Sequence, residues 1–397
     1  MNSTNSRSDP ASSSQRGRYK FGFVLSTSLG NITRYQNFRK FAEQDDEIDF
    51  TWAPVKHYFS PEESNPFRNA PQFIQRRAIV FHQAASVLRN IRSFDAVMIH
   101  LYEADVLTAL LSYLLPMPVR VISSDDGPAV DPATYPFHPV DSSKASWRRA
   151  VRLRIDIWRA RRADLLIPFS CWAADLLVSA AGISSDRVVP LHVGLDLGVW
   201  QCHPRPPSDR QTRAKILFVG GEFTRKGGSD LLSAFILRLA DSTELHLVTK
   251  TAPAELPPDV HVHADLGAND PRLVELYRQA DIFVHPTTSD LSPWVVLEAM
   301  ASGCPVVTTR VGGIVDLVEE GQTGLFVPVG DVQKLADAIE RLVLNPALRR
   351  EMGDRGRRLV EKKYDAKVNV PAILELMKKA VDQRGARKGY PRRQTSE

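Results

Sequence analysis

The 397-residue chain has little cysteine and no long hydrophobic run. Its three cysteines, Cys171, Cys202 and Cys304, are scattered, with no CxxC pair and no zinc-ligand spacing. That excludes a disulfide scaffold and suits a reducing compartment, so a cytoplasmic location is expected. The longest apolar run, "VLTALLSYLLPMPV", is broken by Pro116 and Pro118. A membrane span needs about 20 apolar residues, so no transmembrane helix is expected. The opening "MNSTNSRSDPASSSQRGR" lacks the apolar centre of a signal peptide and reads as a polar, disordered tail. No GxxxxGK[ST] phosphate loop is present, and no DxD metal motif stands at the end of an expected strand.

What is present is a globular composition, 43% hydrophobic and 24% charged. The length implies about two domains. A net charge of +5 fits an anionic ligand or an anionic membrane surface. The chain also has two beginnings. "YKFGFVLSTSLGN" and "AKILFVGGEFTRKGG" are each a buried strand running into a small-residue turn, and the Pro-rich, charged "HPRPPSDRQTR" lies between them as a linker. In each half short apolar strands alternate with helical patterns. Strands are expected at "IDFTWAP", "FDAVMIHL", "PVRVISS" and "ADLLIPF", then at "ILFVGG", "ELHLVT", "VHVHA", "DIFVHP", "PVVTT" and "GLFVP". This pattern predicts two parallel sheets covered on both faces, with a cleft between domains at the carboxyl ends of the strands.

Two segments can carry chemistry. In "FVGGEFTRKGG" a strand ends at Val219, and Arg225 and Lys226 sit in the turn before a helix near Gly228. Cations at that edge suit a phosphate or diphosphate; a solvated basic turn is the plain alternative. In "SDLSPWVVLEAMASGCPVV" Asp290 falls in a loop after a strand ending at Pro286. Ser292 is the expected N-cap and Pro293 the first helical residue, with Gly303 stopping the helix. The free amides near Trp294 and Val295 then face an anion. Glu298, within an apolar helix, has the acceptor pair to hold a ribose diol. The turn "SLGN", with Gly30, lets backbone approach a ligand, and His100 and His285 end strands.

These residues carry a resemblance. "TTSDLSPWVVLEAMASGCPVVTTRVGGIVDLVEEGQTGLFVPVGDVQKLADAI" resembles the C-terminal domain of glycosyltransferase family 4, the retaining enzymes of GT-B fold. "FVGGEFTRKGG" is similar to the family's phosphate-binding turn, and "VPLHVGLDLGVW" to its interdomain element at Val193 to Asp196. The family's usual first acid, Glu, is Asp290 here. Its arginine after "FVG" is Gly221, with Arg225 beside Lys226 in its place, as in members with an RKGG turn. Its usual histidine aligns with Asp125, and a subgroup with a D-x-x-x-Y element matches Asp131 and Tyr135.

The resemblance implies an α/β GT-B protein of two Rossmann-like, doubly wound domains facing a cleft, with a C-terminal helix crossing back. The layout is a tail (1–18), an acceptor-side domain (19–201), a linker (202–213), a nucleotide-sugar domain (214–363), the crossover helix (364–383) and a second tail (384–397). The implied function is that of a metal-independent, retaining hexosyltransferase. It would move a sugar from a UDP- or GDP-sugar to a glycan, lipid-linked or small-molecule acceptor. No cofactor and no metal are expected. Asp290 and Asp125 are the catalytic candidates. Arg225, Lys226, Trp294, Val295, Glu298, Gly30 and Gly221 are the donor-binding ones. A non-catalytic nucleotide-sugar-binding protein of the same fold is the alternative. Nucleic-acid binding is not expected, since the chain lacks aromatic stacking platforms. The basic stretch "KASWRRAVRLRIDIWRARRAD" places Trp147, Val151, Ile155 and Trp158 on one helical face. Docking to an anionic membrane surface, on the cytoplasmic side, and an ordinary cover helix are its two readings.

Overall fold

The computed structural model describes residues 18–28, 31–56, 67, 69, 71–124, 146–202 and 213–387. The expectations for Gly30, Asp125, Asp131 and Tyr135, for the tails 1–17 and 388–397, and for linker residues 203–212 lie outside the described residues. The first half runs β1 (Tyr19–Ser26), α1 (Asn31–Ala42), β2 (Ile48–Val55), α2 (Gln72–Gln83), α3 (Ala85–Leu88), β3 (Ala96–Ile99), α4 (Tyr102–Leu111), β4 (Val119–Ser124), α5 (Ser146–Arg161), β5 (Leu165–Pro168) and α6 (Cys171–Ser179). The second half runs β6 (Ala214–Val219), α7 (Gly228–Ala234), β7 (Thr243–Val248), β8 (Val260–Val262), α8 (Pro271–Gln279), β9 (Ile282–His285), α9 (Trp294–Ala301), β10 (Val306–Thr309), α10 (Ile314–Leu317), β11 (Gly324–Val327), α11 (Val332–Val343) and α12 (Pro346–Lys363), before α13 (Ala366–Arg387).

Each half builds one parallel sheet. The first has the order β2-β1-β3-β4-β5 and the second β11-β10-β9-β6-β7-β8. The near-continuous apolar strands follow from burial on both faces. Leu217, Phe283 and Val306 face one core of the second domain, and their neighbours Phe218, Val284 and Val307 face the other. Burying each such side chain contributes about 1.5–3 kcal/mol relative to exposure. In the first domain Phe21, Phe23, Met98 and Val121 form one core, and Val24, Val97 and Ile99 the other.

The first of those cores is completed from the far end of the chain. Val370, Ile373, Leu374 and Met377 of α13 pack into it. The crossover helix is thus present, but it runs to Arg387 rather than stopping at residue 383. Arg384 holds that last turn, bonding the Pro118 carbonyl at 2.8 Å and Asp164 at 3.1 Å. At the crossing point the Leu195 amide donates to the Tyr364 carbonyl and the Ala366 amide to the Leu195 carbonyl, at 2.8 and 2.9 Å. Gly194, at φ 86°, makes room: a β-carbon there would lie 2.5 Å from the Tyr364 oxygen.

Helix α5 covers the first sheet through Ile157 and Ala160, but its expected apolar face is only partly buried. Trp147 and Val151, on its expected apolar face, are exposed, whereas Asp156, Arg159 and Ala160 are buried. The cause is a buried ion cluster. Asp105 accepts from Arg120 at 2.5 Å and from Arg159 at 2.8 Å, and Arg159 also reaches Asp156 at 3.1 Å. A buried guanidinium such as Arg120 demands paired carboxylates, and that requirement turns the helix.

Candidate active site

In the second sheet the chain leaves β6 toward β7 and β8 and then returns to place β9 on β6's other side. Strand order reverses there, and ligands of open α/β sheets bind at such a switch point, beyond the carboxyl ends of the strands. The turn after β6 carries Arg225 and Lys226. The loop after β9 carries Asp290, and α9 follows it.

The two loops are bound together. The Arg225 carbonyl accepts from the Thr288 amide and hydroxyl, both at 3.0 Å, and from the Thr287 hydroxyl at 3.2 Å. Arg225 grips Glu222 through Nε and Nη2 at 2.8 and 2.7 Å, and donates through Nη1 to the Ser289 carbonyl at 2.8 Å. Gly227 adopts φ 82°, and a β-carbon there would stand 2.1 Å from the Pro286 oxygen. Only glycine allows so close an approach in the left-handed region.

Lys226 forms an ion pair with Asp290. The same carboxylate oxygen lies 3.0 Å from His285 Nε2, and its other oxygen accepts from the Leu291 amide at 3.1 Å. Burial would push the Asp290 carboxyl up. The Lys226 charge and the His285 hydrogen bond outweigh it and hold the group below the usual carboxylate range. Asp290 is therefore an acceptor, and the proton of their bond sits on His285 Nε2. His285 is fully buried between Phe218 and Phe283, and burial lowers its pKa although Asp290 opposes this.

Helix α9 begins one residue later than expected. Pro293, at ψ 117°, is the N-cap, and no side chain caps the helix. Its extended ψ keeps Pro293 outside the helical region, so Trp294 becomes the first helical residue. The Ser292 hydroxyl is buried with no hydrogen-bond partner among the described residues. The helix start thus keeps amides available to an anion. Gly303, at φ 71°, ends the helix as expected.

Glu298 is buried one turn into α9 and accepts from the Tyr277 hydroxyl at 3.0 Å. Burial pushes its carboxyl up to about 7, which the Tyr277 bond only partly offsets. Tyr277, on α8, is itself fully buried and packs edge-on against Trp200. Gly221 is exposed on the β6 turn, with open space around it.

On the first domain Arg34, which the sequence reading did not single out, meets His100, which it did. Arg34, 2% exposed on α1, lies 2.5 Å from His100 Nδ1, and its guanidinium stands 5.3 Å over the Phe169 ring. Arginine only donates, so Nδ1 of His100 is the accepting nitrogen. Gln36 of α1 accepts from Asn269 at 2.9 Å, across to the second domain. Asp316 of α10 accepts from the Trp172 amide of α6 at 2.9 Å. His192 packs on Trp294, ring centres 4.8 Å apart, so the start of α9 touches the interdomain element directly.

Residues 213–345 match the family model described as Glycosyl transferases group 1. The matched stretch spans the second domain from β6 through α11. Over 206 residues the chain is 32% identical to MMP alpha-(1->4)-mannosyltransferase of Mycolicibacterium hassiacum, covering 49% of each chain. Over 212 residues it is 37% identical to D-inositol 3-phosphate glycosyltransferase of Pseudarthrobacter chlorophenolicus, covering 48% of this chain and 50% of that one. The chain thus spans about half the length of these curated relatives. Among solved structures, sucrose-phosphate synthase from Thermosynechococcus elongatus superposes with a TM-score of 0.71 at 18% identity, over 91% of this chain and 99% of that one. Anabaena HepE in complex with UDP-glucose superposes with a TM-score of 0.63 at 17% identity, over 91% and 99%. These likenesses carry the fold alone, and the fold is GT-B.

Proposed function

We propose that the chain is a retaining glycosyltransferase of the type with an RKGG phosphate turn, taking a sugar from a UDP- or GDP-sugar without a metal ion. The observation that carries this reading is the convergence at the β6–β9 switch point of Arg225, Lys226, Asp290 and an uncapped helix start. Two cations and a set of amides suit the charge that develops on a departing diphosphate, which is electrostatic catalysis. Arg225 and Lys226 bind the diphosphate, with the amides of Trp294 and Val295. Glu298 takes the ribose diol. Asp290 contacts sugar hydroxyls and positions the anomeric carbon. Gly221 and Gly30 let backbone approach the donor.

The acceptor, a glycan, a lipid-linked sugar or a small molecule, sits on the first domain. Arg34 and His100 line its side of the cleft, with Asp125 as the second catalytic group. The exposed face of α5 docks the enzyme to anionic lipid on the cytoplasmic side of a membrane. No described helix is long and apolar enough to cross a membrane.

The experiment is an assay for nucleoside diphosphate release from UDP-, GDP- and ADP-sugars with an acceptor panel, with and without EDTA. The anomeric configuration of the product is read by NMR. Turnover with retention, unaffected by EDTA, is expected. A second reading, nucleotide-sugar binding without transfer, is favoured by one observation: Lys226 and Arg225 are already engaged by Asp290 and Glu222. Saturable donor binding with no release across the panel would establish that reading instead.

A further inference from the structure

A second cluster of chemistry-bearing side chains lies at the edge of the same sheet, on β7 and β8. The register pairs His246 with His261. The two-residue period of a strand puts Glu244 on the face of His246, and His263 on the face of His261. The His246 and His261 rings are 4.9 Å apart, and those of His246 and His263 are 5.5 Å apart and nearly parallel. Ligand atoms of Glu244, His246 and His261 all lie within 4.8 Å of one another. Glu244 Oε2 stands 3.8 Å from His246 Nε2. That nitrogen is buried and has no hydrogen-bond partner among the described residues. A buried nitrogen 3.8 Å from a carboxylate and with no hydrogen-bond partner among the described residues needs an explanation.

The geometry points to a divalent transition-metal site of zinc type formed by Glu244, His246 Nε2 and His261, with His263 as the residue that orients His246. Two imidazole nitrogens and a carboxylate oxygen are a zinc ligand set, with the fourth position left to water. His246 Nδ1 lies 3.2 Å from His263 Nε2. Donation from Nδ1–H to that nitrogen leaves the Nε2 lone pair directed at the metal, the usual way a metal-bound imidazole has its tautomer set. His261 is exposed, which gives an ion a path inward.

The site is separate from the donor loops, because β7 and β8 lie on the far side of β6 from β9. Its consequence is mechanical. Strand β8 is a three-residue edge strand, and an ion bridging it to β7 clips that edge to the sheet. Binding to the folded state alone raises stability by mass action.

The test uses the full-length protein, stripped with EDTA and titrated with zinc chloride by calorimetry and by thermal shift. One equivalent is expected, with a melting temperature that climbs with zinc concentration. His261→Ala, at an exposed position, should weaken binding by more than about 100-fold, and His263→Ala by about 10–100-fold, the range for residues that orient a ligand. His82→Ala on α2 should change nothing. Cobalt(II) should give visible absorption bands with the wild type that His261→Ala abolishes. Saturable zinc binding that survives both His261→Ala and Glu244→Gln, or no saturable binding by the wild type, overturns the assignment.

Discussion

Lys226 and Asp290 are 64 residues apart in sequence and form an ion pair between the turn after β6 and the loop after β9. The cation proposed to meet a phosphate is held by the acid proposed to meet the sugar. A diphosphate entering here competes for, or joins, an interaction that already exists. The pair fixes the two side chains against each other and is not a solvated surface pair. Their side chains are only 17% and 13% exposed.

If both cations bind diphosphate, Arg225→Ala and Lys226→Ala should each weaken binding of UDP or GDP by about 1.5–3 kcal/mol, the range for hydrogen bonds to charged groups. The free nucleoside should lose far less. Calorimetry with diphosphate and nucleoside side by side decides it. An equal loss for the two ligands would mean that the residues act only on folding. Lys226→Ala also leaves Asp290 without its main counter-charge, so its melting temperature should fall more than that of Arg225→Ala.

Asp290 makes a sharper case. Asp290→Asn keeps the shape but removes the charge that faces Lys226 and His285. It should mainly lower kcat, because orientation of the anomeric carbon matters most in the transition state. Asp290→Glu should impair turnover as well, since the shorter side chain is the one matched to Lys226 and His285 here. Unchanged kcat and donor KM in Asp290→Asn would remove Asp290 from the machinery.

The loops and strands of this site were legible in the sequence because each rests on local chemistry. Val219 and Pro286 close apolar runs, Gly227 and Gly303 take the positive φ their turns need, and the apolar helix after Pro293 is unmistakable. What was not legible depends on partners far away in the chain. Nothing near Glu298 announces Tyr277, which reaches it from α8. Nothing in the periodicity of α5 announces Asp105 and Arg120, whose buried charges draw Arg159 inward and leave Trp147 outside. The capping residue differs for a local reason: Ser292 fits the capping statistics, but Pro293 keeps an extended ψ of 117° and takes the N-cap position itself. Arg34 does carry a local signal, a cation near the start of the helix that follows the first strand's turn.

Glu298 gives a pH signature with a definite sign. Its folded carboxyl sits near 7, above the unfolded value of about 4.3. The folded state thus holds the proton more tightly, and this contribution to stability is full below about pH 4.3 and is lost as pH rises through about 7. The loss is on the order of 4 kcal/mol at most. Glu298→Gln should flatten that part of the stability profile in chemical denaturation. A ribose diol donates to the ionised form, so nucleoside affinity should rise with pH through the same window and binding should release a proton. Calorimetry in two buffers of different ionisation enthalpy reads the proton directly. No proton release, together with a Gln variant that binds uridine and guanosine as the wild type does, would remove Glu298 from the ribose site.

The remaining prediction concerns α5 and the end of α4. Leu114 is 80% exposed, and Leu110, Tyr113, Trp147 and Val151 are exposed as well. Trp158 stacks on Tyr113 at 6.3 Å and donates to its hydroxyl at 3.1 Å, which joins the two helices into one surface. Arg162 lies 3.5 Å over the same tyrosine ring. Apolar side chains interleaved with arginines are the pattern of a surface that lies on anionic lipid, the apolar groups entering the headgroup boundary and the cations meeting phosphate. The wild type should co-sediment with vesicles containing phosphatidylserine and far less with phosphatidylcholine alone. A variant with Arg148, Arg149, Arg152 and Arg154 changed to Glu should lose the anionic preference. Arg152 stacks over Tyr102 at 4.7 Å, so its melting temperature must be checked alongside. Leu114→Ser, which touches none of those charges, should weaken binding to both lipids and leave the melting temperature alone. Retention of wild-type binding by both variants would return this face to ordinary solvated surface.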